Sequence, residues 1–157
     1  MAKGLLIGAD ALVSSWAFNF HNKIPIHVDR AFGVVENNQI VGAALFSSFN
    51  TVNAEFSYYG RGTLTLGIIR ALAKCALYDL RLSRITVIVP KRPSFLLKKM
   101  HKFGFRFEGV QKRYYGSEDT PKNTGCRFVA FSEDLESIAS GKPKKKVASV
   151  TNIMDHR

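Results

Sequence analysis

Asn53–Gly116 reads NAEFSYYGRGTLTLGIIRALAKCALYDLRLSRITVIVPKRPSFLLKKMHKFGFRFEGVQKRYYG, and the change of hydrophobic period along it decides the fold. Ala54 to Tyr59 is an aromatic, strand-like run, and the breaker Gly60-Arg61-Gly62 ends it. Beyond the glycines, Leu66, Ile69, Leu72, Ala73, Ala76, Leu77 and Leu80 recur at helical spacing, which predicts one long helix with a broad apolar face. Gly67 lies inside it at a cost of about 1 kcal/mol relative to Ala, so close packing or an irregular first turn is expected there. Ile85 to Pro90 is apolar at nearly every position and reads as a central strand buried on both faces. Pro93 suits the first turn of another helix, expected to run to about Phe103 and stop at Gly104. Phe105–Val110 and Cys126–Phe131 read as two last strands, joined through the polar loop GSEDTPKNTG.

Toward the N-terminus, Lys3–Ile7 has β character, and Asp10 caps a helix whose Leu12, Trp16 and Phe20 fall on one stripe. Ala31–Glu36 and Gln39–Phe46 flank Asn37-Asn38, a two-residue hairpin turn because Asn tolerates positive φ. The expected order is β, α, three β, α, β, α, β, β: an α/β chain with a mixed sheet. Its 157 residues suit one domain, with residues 1–135 as its body and 136–157 as a basic, solvated extension.

The formal charge of +11 is unevenly spread. Lys91–Arg113 holds +7 and Gly141–Arg157 holds +4, while the remainder cancels. Lys91, Arg92, Lys98, Lys99 and Lys102 are therefore candidate contacts for an anionic partner. Cys75 and Cys126 are far apart and the four His are scattered, which argues for a reducing compartment and against a metal centre. The N-terminal apolar run is interrupted by Asp10, unlike a signal peptide or a membrane span, so a cytoplasmic location is expected.

A glycine turn feeding a helix exposes backbone N–H groups at a positive dipole end, where a diphosphate can rest. No GK[ST] follows the glycines and no GxGxxG is present, which excludes a Walker loop and a dinucleotide fingerprint. The stretch quoted above resembles the core of the GCN5-related N-acetyltransferases (GNAT), especially the ribosomal-protein-acetyltransferase-like branch. The shared features are a GRGxxT turn, an LRL link into a strand, a helix ending in GF, and an EGV…Y strand, and the hairpin VVENNQIVGAALF matches as well. The resemblance spans roughly Lys3 to Phe131. It implies the acyl-CoA N-acyltransferase fold, a mixed sheet split into a V, with acetyl-CoA between Ala54–Tyr59 and Ile85–Val89 and its pyrophosphate at the helix start after Gly62.

On that resemblance, Phe56, Ser57, Tyr58, Arg61, Gly62, Thr63, Leu64, Thr65 and Lys98 are the expected cofactor contacts. The amide cradle is centred either on the glycines or on Thr63–Gly67. Glu55 would accept, directly or through water, the proton of a primary amine that attacks the thioester directly; Tyr58, Tyr59, Tyr114 and Tyr115 would line the acceptor pocket or, Tyr115 above all, supply a proton to the departing thiolate in place of Met100. No metal is implied. The sequence departs from the family pattern at four places: Tyr59 and Leu64 begin and end the phosphate loop, Pro93 stands where Asn is usual, and Met100, which cannot donate a proton, stands where Tyr is usual. It also resembles bacteriophage-encoded acetyltransferase-like proteins, some of them internal to virions, that keep the fold while losing parts of the cofactor motif. The alternative expectation is thus a catalytically silent scaffold, virion-associated or bound to nucleic acid or protein through the basic helix and tail.

Overall fold

The computed structural model describes residues 3–20 and 27–142. The elements are β1 (Gly4–Leu6), α1 (Asp10–Phe20), β2 (Arg30–Glu36), β3 (Gln39–Asn50), β4 (Asn53–Tyr59), α2 (Leu66–Lys74), β5 (Arg84–Pro90), α3 (Phe95–Lys102), β6 (Arg106–Gln111), β7 (Gly125–Phe131) and α4 (Ser132–Ser140). They form a seven-stranded sheet in the order β1-β2-β3-β4-β5-β7-β6. Every neighbouring pair is antiparallel except β4 and β5, which the crossover through α2 makes parallel. The expected order of elements holds, with α4 in addition.

Asn37 and Asn38 both take positive φ, 53° and 62°, and close the β2–β3 hairpin as their chemistry predicts. One face of the sheet carries the main core: Phe32, Phe46, Ile85, Val87, Val89 and Phe128 pack under α2, α3 and α4. On the opposite face α1 covers β2 and β3 only, over Val13, Ala17, Ala31, Ala43 and Leu45. Among the described residues no helix lies on the opposite face of β4, β5, β7 and β6.

Four expectations need correction. In α1 the buried residues are Val13 and Ala17, whereas Leu12 is 60% exposed. The reason is close approach to β2, since a Cβ on Gly33 would lie 3.0 Å from Val13 Cγ2, and only smaller side chains fit there. The long helix is α-helical only to Lys74; Cys75–Asp79 form a π-turn in which the Leu80 N–H donates to the Cys75 carbonyl at 2.9 Å. Pro93 does not open α3, which begins at Phe95 with Ser94 at its cap, although the end near Phe103 and Gly104 is as expected. Residues 136–140 are not part of a solvated extension. They complete α4, which packs on α2, so the boundary drawn at 135 falls inside a helix. The rest of the basic tail, 143–157, lies outside the described residues.

Candidate active site

The pairing of β4 with β5 stops at Glu55 and Thr86, after three residue pairs, while both strands continue to Tyr59 and Pro90. The sheet therefore splits, and the β5-facing backbone groups of Phe56–Tyr59 have no strand partner. Unpaired strand polar groups are costly when dry and are a template for an extended ligand. The side chains of Phe56 and Tyr58 pack into the main core, and Ser57 and Tyr59 point to the other face, as strand alternation requires.

The split leads into the turn before α2. Gly60 and Gly62 take φ of +127° and +75°, which favours glycine at both. The Tyr58 hydroxyl lies 2.5 Å from Thr63 Oγ1, which in turn donates to the Gly60 carbonyl at 2.5 Å. Burial pushes the Tyr58 phenol up, partly offset by the hydrogen bond with Thr63. Thr65 caps α2, its Oγ1 accepting from the Ile68 N–H at 3.3 Å. The hydroxyls of Thr63 and Thr65 thus hold the turn, and the N–H groups of Leu66 and Gly67 remain as first-turn donors. A Cβ on Gly62 would meet nothing within 4 Å, and on Gly67 only Thr65 Oγ1 at 4.0 Å, so both positions are open to a ligand. Gly67 serves exposure rather than close packing. Leu64 turns toward the main core. Arg61 is exposed at the tip of the turn.

On the face without a helix, Glu55 is exposed and accepts from Ser48 Oγ at 3.5 Å. Directly opposite it in the β3–β4 register stands Ser47, 1% exposed, whose Oγ has no hydrogen-bond partner among the described residues. Directly opposed residues share a face, so this orphan hydroxyl sits beside the carboxylate. Tyr115 donates to the Ile88 carbonyl of β5 at 3.2 Å, and burial keeps its phenol protonated far into the alkaline range. Burial likewise pushes Tyr59 and Tyr114 up; Tyr59 is also bonded to Ser57, and Tyr114 feels the Glu55 charge. The structure thus brings Glu55, Tyr59, Tyr114 and Tyr115 to one side of the split. Ser47 and Arg127 join them there without any local motif to mark them; only strand register reveals them.

The basic residues behave differently. Lys98, Lys99 and Lys102 lie on the exposed side of α3, whose Leu96, Leu97 and Met100 face the core. Lys91 and Arg92 are exposed in the connection before α3. Among the described residues no group of three or more His, Cys, Asp or Glu is placed to hold a metal ion, and no helix is long and apolar enough to cross a membrane.

The strand order, the lone parallel pair that opens after three residues and the turn feeding α2 define the GNAT acetyltransferase fold. The same fold is seen in a mutant form of the spermidine/spermine N-acetyltransferase SpeG from Vibrio cholerae, with a TM-score of 0.72 and 13% identity over 87% of this chain and 98% of that one. A dodecameric spermidine N-acetyltransferase from Vibrio cholerae matches with a TM-score of 0.68 and 14% identity, over 83% of this chain and 94% of its own. An acetyltransferase of the GNAT family from Streptococcus pneumoniae matches with a TM-score of 0.55 and 16% identity, over 65% and 66%. At these identities the likeness is one of fold. None of the three is named as a virion or nucleic-acid-binding protein, so the comparisons lend no support to the scaffold reading. No sequence-family profile and no curated protein sequence matches the chain.

Proposed function

We propose that the protein is an acetyl-CoA-dependent N-acetyltransferase that moves an acetyl group to a primary amine by direct attack on the thioester. The observation that carries this reading is the continuity between the unpaired edge of Phe56–Tyr59 and the open amides at Gly62 and Gly67. An extended pantetheine arm suits the first and a pyrophosphate the second. Arg61 is the candidate partner for further phosphate charge, with Lys98 as a second cation.

In this reaction the amine nitrogen bonds to the acetyl carbon, the carbon–sulfur bond breaks, and the nitrogen loses a proton. Glu55 takes that proton directly or through a water that Ser47 Oγ also holds, and the buried, unpartnered hydroxyl beside it supports such a water. Tyr115, whose phenol is held far above a thiol's usual range, is suited not to give up its proton but to turn its one O–H from the Ile88 carbonyl to the leaving sulfur and donate a hydrogen bond there. That division of labour compensates for Met100, which is buried and has no proton to give. The test is a thiol-release assay with acetyl-CoA and a panel of primary amines, read together with the mass of the acetylated amine. Amine-dependent thiol release with matching acetyl-amine supports the reading, and thiol release at the amine-free rate for every amine contradicts it.

A further inference from the structure

We infer that the acceptor is a small amine bearing its own carboxylate, with its nitrogen at Glu55 and its carboxylate on Arg127, and not a polycation. This rests on the acetyltransferase reading. The charges on the face that no described helix covers point to this acceptor. On β4–β7 that face carries two carboxylates, Glu55 and Glu108, and three guanidiniums, Arg84, Arg106 and Arg127. Arg84 holds Glu108 through a two-point contact, with one arm at 2.9 Å. Arg106 holds the buried Asp134 at 3.0 Å. With those two pairs made, Glu55 and Arg127 are the charges left without an ion-pair partner within 4.0 Å among the described residues, Arg127 acting on Glu108 only at longer range. A polyamine would find one carboxylate there and a facing cation; a zwitterion finds one partner for each end.

The spacing suits such a molecule. Glu55 pairs with Thr86, and Arg127 pairs with Ile88 on the far side of β5. Arg127 therefore lies two strands across and two residues along from Glu55, about 12 Å between Cα atoms. Side chains on one face stand roughly perpendicular to the sheet, so the two charged ends are separated by about that same distance, which a small amino acid or a dipeptide with a hydrogen bond at each end spans. Tyr114 forms the wall between them: its Cβ and Cγ lie 3.1 Å from where a Cβ on Gly125 would stand, which packs it on the same face. Burial raises its phenol's hold on the proton, and the phenol senses both charges, Glu55 raising that hold further and Arg127 lowering it.

The experiment compares β-alanine and glycylglycine with their C-terminal amides and with spermidine as acceptors, in the wild type and in Arg127→Gln and Arg127→Lys. The expected result is a kcat/KM about tenfold or more higher for each acid than for its amide. Arg127→Gln should erase that preference through KM with kcat little changed, and Arg127→Lys should restore part of it. Spermidine or the amides matching the acids in the wild type would overturn the inference, as would an Arg127→Gln loss shared equally by all acceptors. Calorimetry with acetyl-CoA separates the failures. Cofactor binding without acetylation of either acid overturns the acceptor assignment alone, and no cofactor binding overturns both.

Discussion

The Tyr58 hydroxyl and Thr63 Oγ1 are 2.5 Å apart, so a strand that lines the split is tied directly to the turn that opens α2. Gly42 of β3 is what permits this, because a Cβ there would stand only 2.7 Å from Thr63 Oγ1. Tyr58→Phe removes the tie while leaving Thr63 bonded to Gly60, at about 1 kcal/mol of stability. Acetyl-CoA affinity should fall several-fold, because the turn is less well held. Gly42→Ala should cost about 2 kcal/mol and weaken cofactor binding more, since the hydroxyl pair must move aside. Chemical denaturation and calorimetry on the two variants check both values.

Glu55→Gln keeps the shape of the site and removes the base. The prediction is a fall in kcat of about 100-fold with the acetyl-CoA Kd unchanged. Initial rates at saturating acetyl-CoA, with calorimetry for the Kd, report it.

Asp134 is fully buried, bonds Arg106 at 3.0 Å, and accepts from the Phe131 N–H at 2.9 Å to start α4. Asp134→Ala should cost about 3 kcal/mol, since it leaves a half-exposed guanidinium and an uncapped helix start. Urea unfolding of the variant measures this loss, and Glu133→Ala, whose carboxylate is exposed at 3.8 Å from Arg106, is the near-neutral control.

Much of the architecture was legible because local chemistry and tertiary demand agree. Asn37-Asn38 sets a hairpin by backbone preference alone, and the Ile85–Pro90 run is apolar because β5 is central. The readings that failed did so where a distant partner decides. Leu12 and Trp16 look like part of the buried stripe of α1, but the approach to Gly33 places Val13 and Ala17 at its centre, with Trp16 packed at the edge of that cluster and Leu12 exposed. Residues 132–140, SEDLESIAS, read as polar because Leu135, Ile138 and Ala139 are their only apolar residues, and the early acids that mark a helix start were the available signal. In the site, Glu55 and the glycines announce themselves by neighbours in sequence. Ser47 and Arg127 do not, since each meets Glu55 or the tyrosines only through strand register.

Tyr58, Tyr59, Tyr114 and Tyr115 all hold their protons more tightly in the folded protein than the ordinary value of 10.0. Above about pH 10 the unfolded chain sheds protons that the folded protein retains, so stability falls as pH rises from there and is unaffected below it. Replacing Tyr115 by Phe should flatten that alkaline decline. Thermal unfolding at pH 8 to 11, in wild type and in Tyr115→Phe, tests the sign.

The central claim is that the split between β4 and β5 and the open amides at the start of α2 form one acetyl-CoA site. Isothermal titration calorimetry with acetyl-CoA tests it most directly, on the wild type and on Gly67→Glu, whose carboxylate would stand in the first-turn amides. The account predicts saturable one-to-one binding to the wild type and a loss of at least tenfold in affinity in the variant. No binding to the wild type at millimolar acetyl-CoA, or equal binding to both, would contradict it.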